Sequence, residues 1–208
     1  TVAAKGNDGV GIVGVNWDAE LMAVKIFDDS GGYAGSMNVA LAIEYATMMG
    51  ARVTNNSWGG GGFDQAVFDA ISAANVADCL FIAAAGNDSS NNDSVANYPS
   101  NYDLANIIAV ASTDSNDALS YFSNYGATMV DLGAPGSDIY SSVPGAGYDT
   151  FSGTSMASPH VAGVAALILA ENPSLTSAEV KQILLESVDP VAALDGITLT
   201  GGRLNALS

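Results

Sequence analysis

Basic side chains are the scarcest thing in this 208-residue chain: five Lys and Arg stand against 22 Asp and Glu, a formal net charge of −17. A surface with that balance repels phosphate, so nucleic acid is excluded as a partner. Cysteine is nearly absent as well. Cys79 stands alone, which rules out an internal disulfide, and its setting in Cys79-Leu80-Phe81-Ile82 is that of a small buried hydrophobe. No apolar run approaches a membrane span, so no membrane partner is expected; no secretory leader is visible at Thr1, so a leader has been removed or the chain begins inside a longer precursor. There is a single histidine, His160, and no Gly-Lys-Ser/Thr string of the kind that cradles nucleotide phosphates.

What the chain does have is apolar content, 49% of its residues, and a clear alternation of segment types. Leu21–Phe27 predicts a strand, Ser36 caps a helix reaching Met49, and Val53–Trp58 predicts a second strand that runs into four glycines. Phe63, Val67, Ala70, Ile71 and Ala74 recur at helical spacing. Leu80–Ala85 and Asn106–Ala111 are apolar without polar alternation, as in strands covered on both faces, and Thr128–Leu132 predicts a shorter one. Strand alternating with helix points to an α/β fold, a layered parallel sheet with helices on both faces, in one domain spanning residues 1–208. The Asn-, Ser- and Asp-rich stretch 86–103 is expected to be a long ordered surface loop. Near the end, Thr176-Ser177-Ala178-Glu179 has the form of a capping box opening a helix that carries Val180, Ile183, Leu184 and Val188.

Two strings carry chemistry. Gly153-Thr154-Ser155-Met156-Ala157-Ser158-Pro159-His160 leads into an apolar run that ends at Asn172-Pro173, so Ser155 falls at the N-terminus of a buried helix. Unpaired N–H groups and the positive end of the helix dipole stabilise a developing anion there. Taken alone, Thr154 or Ser155 is equally well an ordinary helix cap. The second string, Ala83-Ala84-Ala85-Gly86-Asn87, ends a strand, where open α/β sheets bind their ligands, although Gly-Asn by itself is simply a turn. A phosphate-binding reading of Gly59–Gly62 fails because Asp64 stands where a dinucleotide fingerprint needs a small residue.

Together the two strings resemble the subtilisin-like serine peptidases (subtilases, peptidase family S8), over nearly all of the chain but only the C-terminal part of the family's catalytic domain. That resemblance implies a serine endopeptidase in which Ser155 is the nucleophile and Asn87, with the Ser155 backbone N–H, forms the oxyanion hole. It implies a substrate cleft edged by Ser57, Trp58, Gly59 and Gly60 on one side and by Gly32 and Tyr33 on the other, with Ala85, Gly86, Asp88 and Asn97 around the first specificity pocket. A cis Tyr98–Pro99 bond is expected from the same match. The loop Gly6–Gly11 resembles one that holds a structural calcium, with Asn7 as an oxygen ligand; no organic cofactor is implied.

A serine nucleophile needs a base. His160 lies five residues after Ser155, about 140° round the helix, and so faces away from it. Because Thr1-Val2-Ala3-Ala4 resembles the residues that follow the family's catalytic histidine, the catalytic Asp and His are expected upstream of residue 1, and the isolated 208 residues are expected to be inactive. Partners follow: polypeptide substrates, and the missing N-terminal part of the same domain or its propeptide. The complete protein is expected to be a secreted monomer. A different class of function, a non-catalytic peptide-binding relative using the same glycine-edged cleft, fits the same residues.

Overall fold

A computed structural model describes residues 1–207. Four strands run parallel in chain order, β1 (Val53–Asn56), β2 (Leu80–Ala84), β3 (Ile107–Thr113) and β4 (Leu132–Pro135). The two-residue β8 (Gly202–Arg203) joins β4, and β7 (Asp189–Pro190) closes the far edge, leaving β1 at the other. Four helices cover the two faces: α1 (Ser36–Met48), α2 (Gln65–Val76), α3 (Thr154–Glu171) and α4 (Ser177–Glu186). A separate antiparallel hairpin pairs β5 (Ile139–Val143) with β6 (Gly147–Phe151). The expected α/β layering is therefore present.

The layers follow from the two-residue period of a strand. Leu80 and Ile82 of β2 pack with Ile108, Val110, Leu132 and Ala134 against α3 and α4. Phe81 and Ala83, one residue out of step, pack on the other face against α1 and α2. Both faces are covered, which is why these strands are apolar without interruption. Each fully buried Leu, Ile or Phe here contributes roughly 1.5–3 kcal/mol through the water it releases.

Helix ends are set locally. Asp64 caps α2, its carboxylate accepting from the N–H groups of Ala66 and Val67. The capping box at Thr176 and Glu179 starts α4 as its sequence requires. At α1 the cap is Gly35, in the left-handed region with φ 87°, and Ser36 is the first helical residue rather than the cap. The small side chains of α3 allow close packing: a Cβ on Gly163 would lie 2.6 Å from Val15 Cβ, in a segment whose N–H groups bond back to residues 1, 2 and 4.

Two expected strands change. Leu21–Phe27 lies outside the sheet; among the described residues its only bridge is Phe27 to Tyr33, and Leu21 is 69% exposed. A strand exists only where something pairs with it. Between this segment and the outer edge of β1 lies a cleft of about 1060 Å³, lined by Val39 and Ile43 of α1 on one face and Ala162, Ala166 and Leu169 of α3 on the other. Thr128–Leu132 is displaced: the Asp93 carboxylate captures the N–H and hydroxyl of Thr128 and the N–H of Met129 in a turn, and pairing begins at Leu132. The stretch 86–103 is ordered as expected, but it turns Asn92, Asn97, Ser100 and Asn101 into the interior.

Candidate active site

The N-terminus of α3 points at the C-terminal ends of β1 and β2. Gly153 caps the helix without a side chain, so Thr154, Ser155 and Met156 form its first turn, where N–H groups have no carbonyl one turn earlier within the helix. Ser155 is half-buried, and its Oγ donates to the Ser57 carbonyl at 3.3 Å. Further along the helix, Pro159 has no N–H for the carbonyl of Ser155 four residues before it. Ser57 Oγ supplies the missing donor, 2.8 Å from the Ser155 oxygen. Ser57 also meets Ser158 Oγ at 2.9 Å, and Ser158 donates to Asn55, so the end of β1 and the helix that carries Ser155 are bonded into one unit.

Asn87 arrives from the other side, just beyond β2. Its Oδ1 accepts from the Thr154 N–H at 2.9 Å and the Thr154 hydroxyl at 3.0 Å, and that hydroxyl accepts from the Gly86 N–H at 3.2 Å. With the oxygen engaged, the Asn87 Nδ2 donor is fixed by planarity on the opposite side of the amide. A Cβ built on Gly153 would sit 3.6 Å from Asn87 Nδ2, 3.7 Å from its Oδ1 and 3.6 Å from the Ser155 nitrogen, so the Asn87 amide and the Ser155 N–H lie close together at the start of α3.

The remaining cleft residues divide. Gly59 and Gly60 lie against the turn at Tyr98: Gly60 N–H donates to Tyr98 O at 2.9 Å, and a Cβ on Gly59 would sit 3.2 Å from both that oxygen and Asn97 Nδ2. Asn97 is buried and donates to Ala85 O at 2.9 Å, so Ala85 offers its carbonyl to this amide rather than outward. The Tyr98–Pro99 bond is cis. Gly86 has φ 114°, and Asn87 and Asp88 are exposed at the rim. Trp58 turns inward, edge-on to Phe81 with its Nε1 donating to Asn56, which leaves only its backbone for a ligand. Gly32 and Tyr33 form a separate loop organised by Asp28, whose carboxylate accepts from the N–H groups of Ser30 and Gly32; Tyr33 packs on Phe27.

His160 is not brought to Ser155. Its Nδ1 meets the Met156 carbonyl at 2.9 Å, and burial lowers its pKa, favouring the neutral ring. Burial likewise pushes the Cys79 thiol up to about 11, keeping it an inert core group. Asp131, deep under the sheet, is raised by burial against the opposing pull of Lys181 and the Ala109 N–H. None of these lies at the cleft. Asn7 sits in an exposed turn with φ 58°, beside Asp8, whose carboxylate caps the Val10 N–H. Two such side chains fall short of the six to eight oxygens that calcium takes, and among the described residues no cluster of three or more His, Cys, Asp or Glu is placed to hold a metal. The donor set therefore does not fit calcium by itself.

Thr154 is the residue that the sequence reading left as a cap: wholly buried, it aims Asn87. Its signal lay in plain view between Gly153 and Ser155, but a threonine before a helix is too common to stand out. Ser57 was expected for its backbone, and its hydroxyl serves the Pro159 break, for which the proline was the signal.

Comparison with known proteins identifies the family. Residues 1–201 match the subtilase family, Peptidase_S8. Thermitase of Thermoactinomyces vulgaris is 40% identical over 204 residues, covering 98% of this chain and 70% of thermitase. Subtilisin DY of Bacillus licheniformis is 41% identical over 185 residues, covering 88% of this chain and 66% of that protein. Against alkaline elastase YaB of Bacillus sp. (strain YaB), 38% identical, the chain spans 47% of the relative's length. A cold adapted subtilisin-like serine proteinase superposes with a TM-score of 0.85 at 34% identity, covering 94% of this chain and 70% of that one. With the family model matched over residues 1–201 and relatives about 40% identical over most of its length, the chain belongs to the subtilase family.

Proposed function

We propose that these residues form the nucleophile and oxyanion half of a secreted serine endopeptidase acting on polypeptides. The observation that supports the reading is the placement of Ser155 in the first turn of α3 beside Asn87, whose Oδ1 is taken by Thr154 so that its Nδ2 is the group left to donate. In the proposed reaction Ser155 Oγ attacks the scissile carbonyl carbon and gives its proton to a base. The carbonyl π electrons move onto oxygen, where Asn87 Nδ2 and the Ser155 N–H hold the anion. Collapse breaks the C–N bond as the base returns its proton to the leaving amine, and water then hydrolyses the acyl-serine by the reverse sequence of transfers. Substrate backbone would run past Gly60, where a built Cβ meets nothing within 4 Å and the missing side chain allows close approach.

The base is the group this half does not contain, since His160 is committed to Met156. We place it, with the Asp that orients it, on polypeptide beyond these residues. The cleft between Leu21–Phe27 and the edge of β1 supports this assignment, because it offers further chain an apolar seat next to Ser57 and Trp58. The test is labelling of the longest native form of the protein with a serine-directed fluorophosphonate, followed by peptide mapping. An adduct on Ser155 is expected; a folded protein that refuses the label would instead be a peptide-binding relative.

A further inference from the structure

We infer that Asn124 is a positioning residue for the oxyanion donor Asn87, acting through the turn that carries it; the inference rests on the oxyanion reading of Asn87. Asn124 is 1% exposed and lies 37 positions along the chain from Asn87, on the segment that follows β3. Its polar groups face the strand-to-loop turn 86–92. Oδ1 accepts from the N–H groups of Asp88 at 2.8 Å and Ser90 at 3.1 Å, the residues just beyond Asn87. Nδ2 donates to Asn92 Oδ1 at 3.0 Å, and the Asn124 backbone N–H donates to Gly86 O at 2.9 Å, immediately before Asn87.

Asn92 passes the hold back to the sheet: its Nδ2 donates to Ala85 O at 2.9 Å. The turn is therefore gripped on both sides of Asn87 by one buried amide and its partner, and Asn87 itself is left with only its oxygen engaged, by Thr154. The fit leaves no slack, since a Cβ on Gly86 would lie 2.4 Å from Asn124 Nδ2. An amide is required here rather than a carboxylate. Oδ1 must accept two N–H groups while Nδ2 donates to an oxygen, and only a group with both polarities does this. A donor that must meet a developing anion gains most from being held in place before reaction, so loosening this grip should act on the transition state more than on substrate binding.

The test uses the longest native form with a peptide p-nitroanilide, comparing wild type, Asn87→Ala, Asn124→Asp and the double variant. Asn124→Asp keeps volume and Oδ1 but sets an oxygen against Asn92 Oδ1. We expect kcat to fall on the order of tenfold with KM within about twofold, and the same substitution to change kcat less than about twofold once Asn87 is already Ala. Equal losses in both backgrounds, or a rise in KM alone, would overturn the role while leaving Asn87 as the donor. No loss on Asn87→Ala, or no turnover by the native protein, overturns the oxyanion reading and this role with it. If Asn124→Asp does not fold, Asn92→Ser carries the same expectations, because it removes the partner of Asn124 Nδ2 and leaves Asn124 intact.

Discussion

The two walls of the cleft are built on different terms. On one side, the ends of β1 and β2 and the turn 86–92 are fixed by groups within the chain: Ser57 to Ser155 and Ser158, Asn87 to Thr154, and the amides of Asn92, Asn97 and Asn124 behind. On the other, Leu21–Tyr33 is held by the Asp28 turn and one bridge, and it leaves Leu21, Met22, Phe27 and Tyr33 more than a third exposed. The groups that would stabilise charge lie on the wall that holds itself. The wall that would guide a substrate depends on what packs against it. Pre-organisation is thus concentrated where a displaced donor is most costly.

The contrast is broken most directly by trimming an apolar side chain on each side. Phe81, fully buried between Trp58 and the helices α1 and α2, should lose about 3–5 kcal/mol of stability as Phe81→Ala. Ile26, half-buried at the margin of the same core, should lose less than about 1.5 kcal/mol as Ile26→Ala, because much of its surface already meets water. Urea unfolding of both variants measures the difference. Similar losses would mean that the exposed wall is packed as firmly as the sheet, and the comparison would not stand.

These same two residues show where sequence is informative. Leu80–Ala85 and Leu21–Phe27 look alike as strings, apolar and β-prone, yet one is the sheet's interior and the other lies outside the sheet. Periodicity reports a segment's preference, and pairing is decided by partners distant in the chain. The buried α3, the capping box and the positions of Ser155 and Asn87 were legible because each depends on a local string with few alternatives. The Asn92–Asn124 grip was not, since Asn in a loop normally signals a turn and nothing local says that two such residues 32 positions apart will meet. The hairpin Ile139–Phe151 was missed for a related reason: its exposed alternation around Gly145 is weak beside the apolar runs on either side.

A smaller effect is expected at Ser57. Ser57→Ala removes the donor that replaces the missing Pro159 N–H, and it leaves the Ser155 carbonyl without that partner at the start of α3. The cost of orphaning such a group is about 1–3 kcal/mol, seen as a lower urea midpoint with an unchanged slope. Ser57→Thr, which keeps a hydroxyl, should recover most of it. A loss below about 0.5 kcal/mol would show that water reaches the carbonyl and that this wall is less closed than its bonds suggest.

The smallest effect separates the exposed wall from the main core by pH. Glu179, in the capping box of α4, has its pKa lowered by the Thr176 N–H and hydroxyl; Asp28, on the exposed wall, has its own lowered by the Ser30 hydroxyl and the N–H groups of Gly32 and Ser30. The sign is the same for both. A carboxylate whose folded pKa is depressed contributes stability above its unfolded value, and that contribution is lost as pH falls through the folded one. The readouts should differ, however. Glu179 starts a helix that buries Val180 and Leu184 in the main core, so protonating it weakens a cooperative unit, and Glu179→Gln should shrink the fall in Tm on acidification below the ordinary carboxylate range. Asp28 organises only its own loop, which can open while the sheet stays folded. Asp28→Asn should therefore leave the pH dependence of Tm unchanged and instead speed hydrogen exchange at the Gly32 N–H. A change in Tm for Asp28→Asn as large as that for Glu179→Gln would tie the loop to global unfolding and make the exposed wall part of the same cooperative unit as the core.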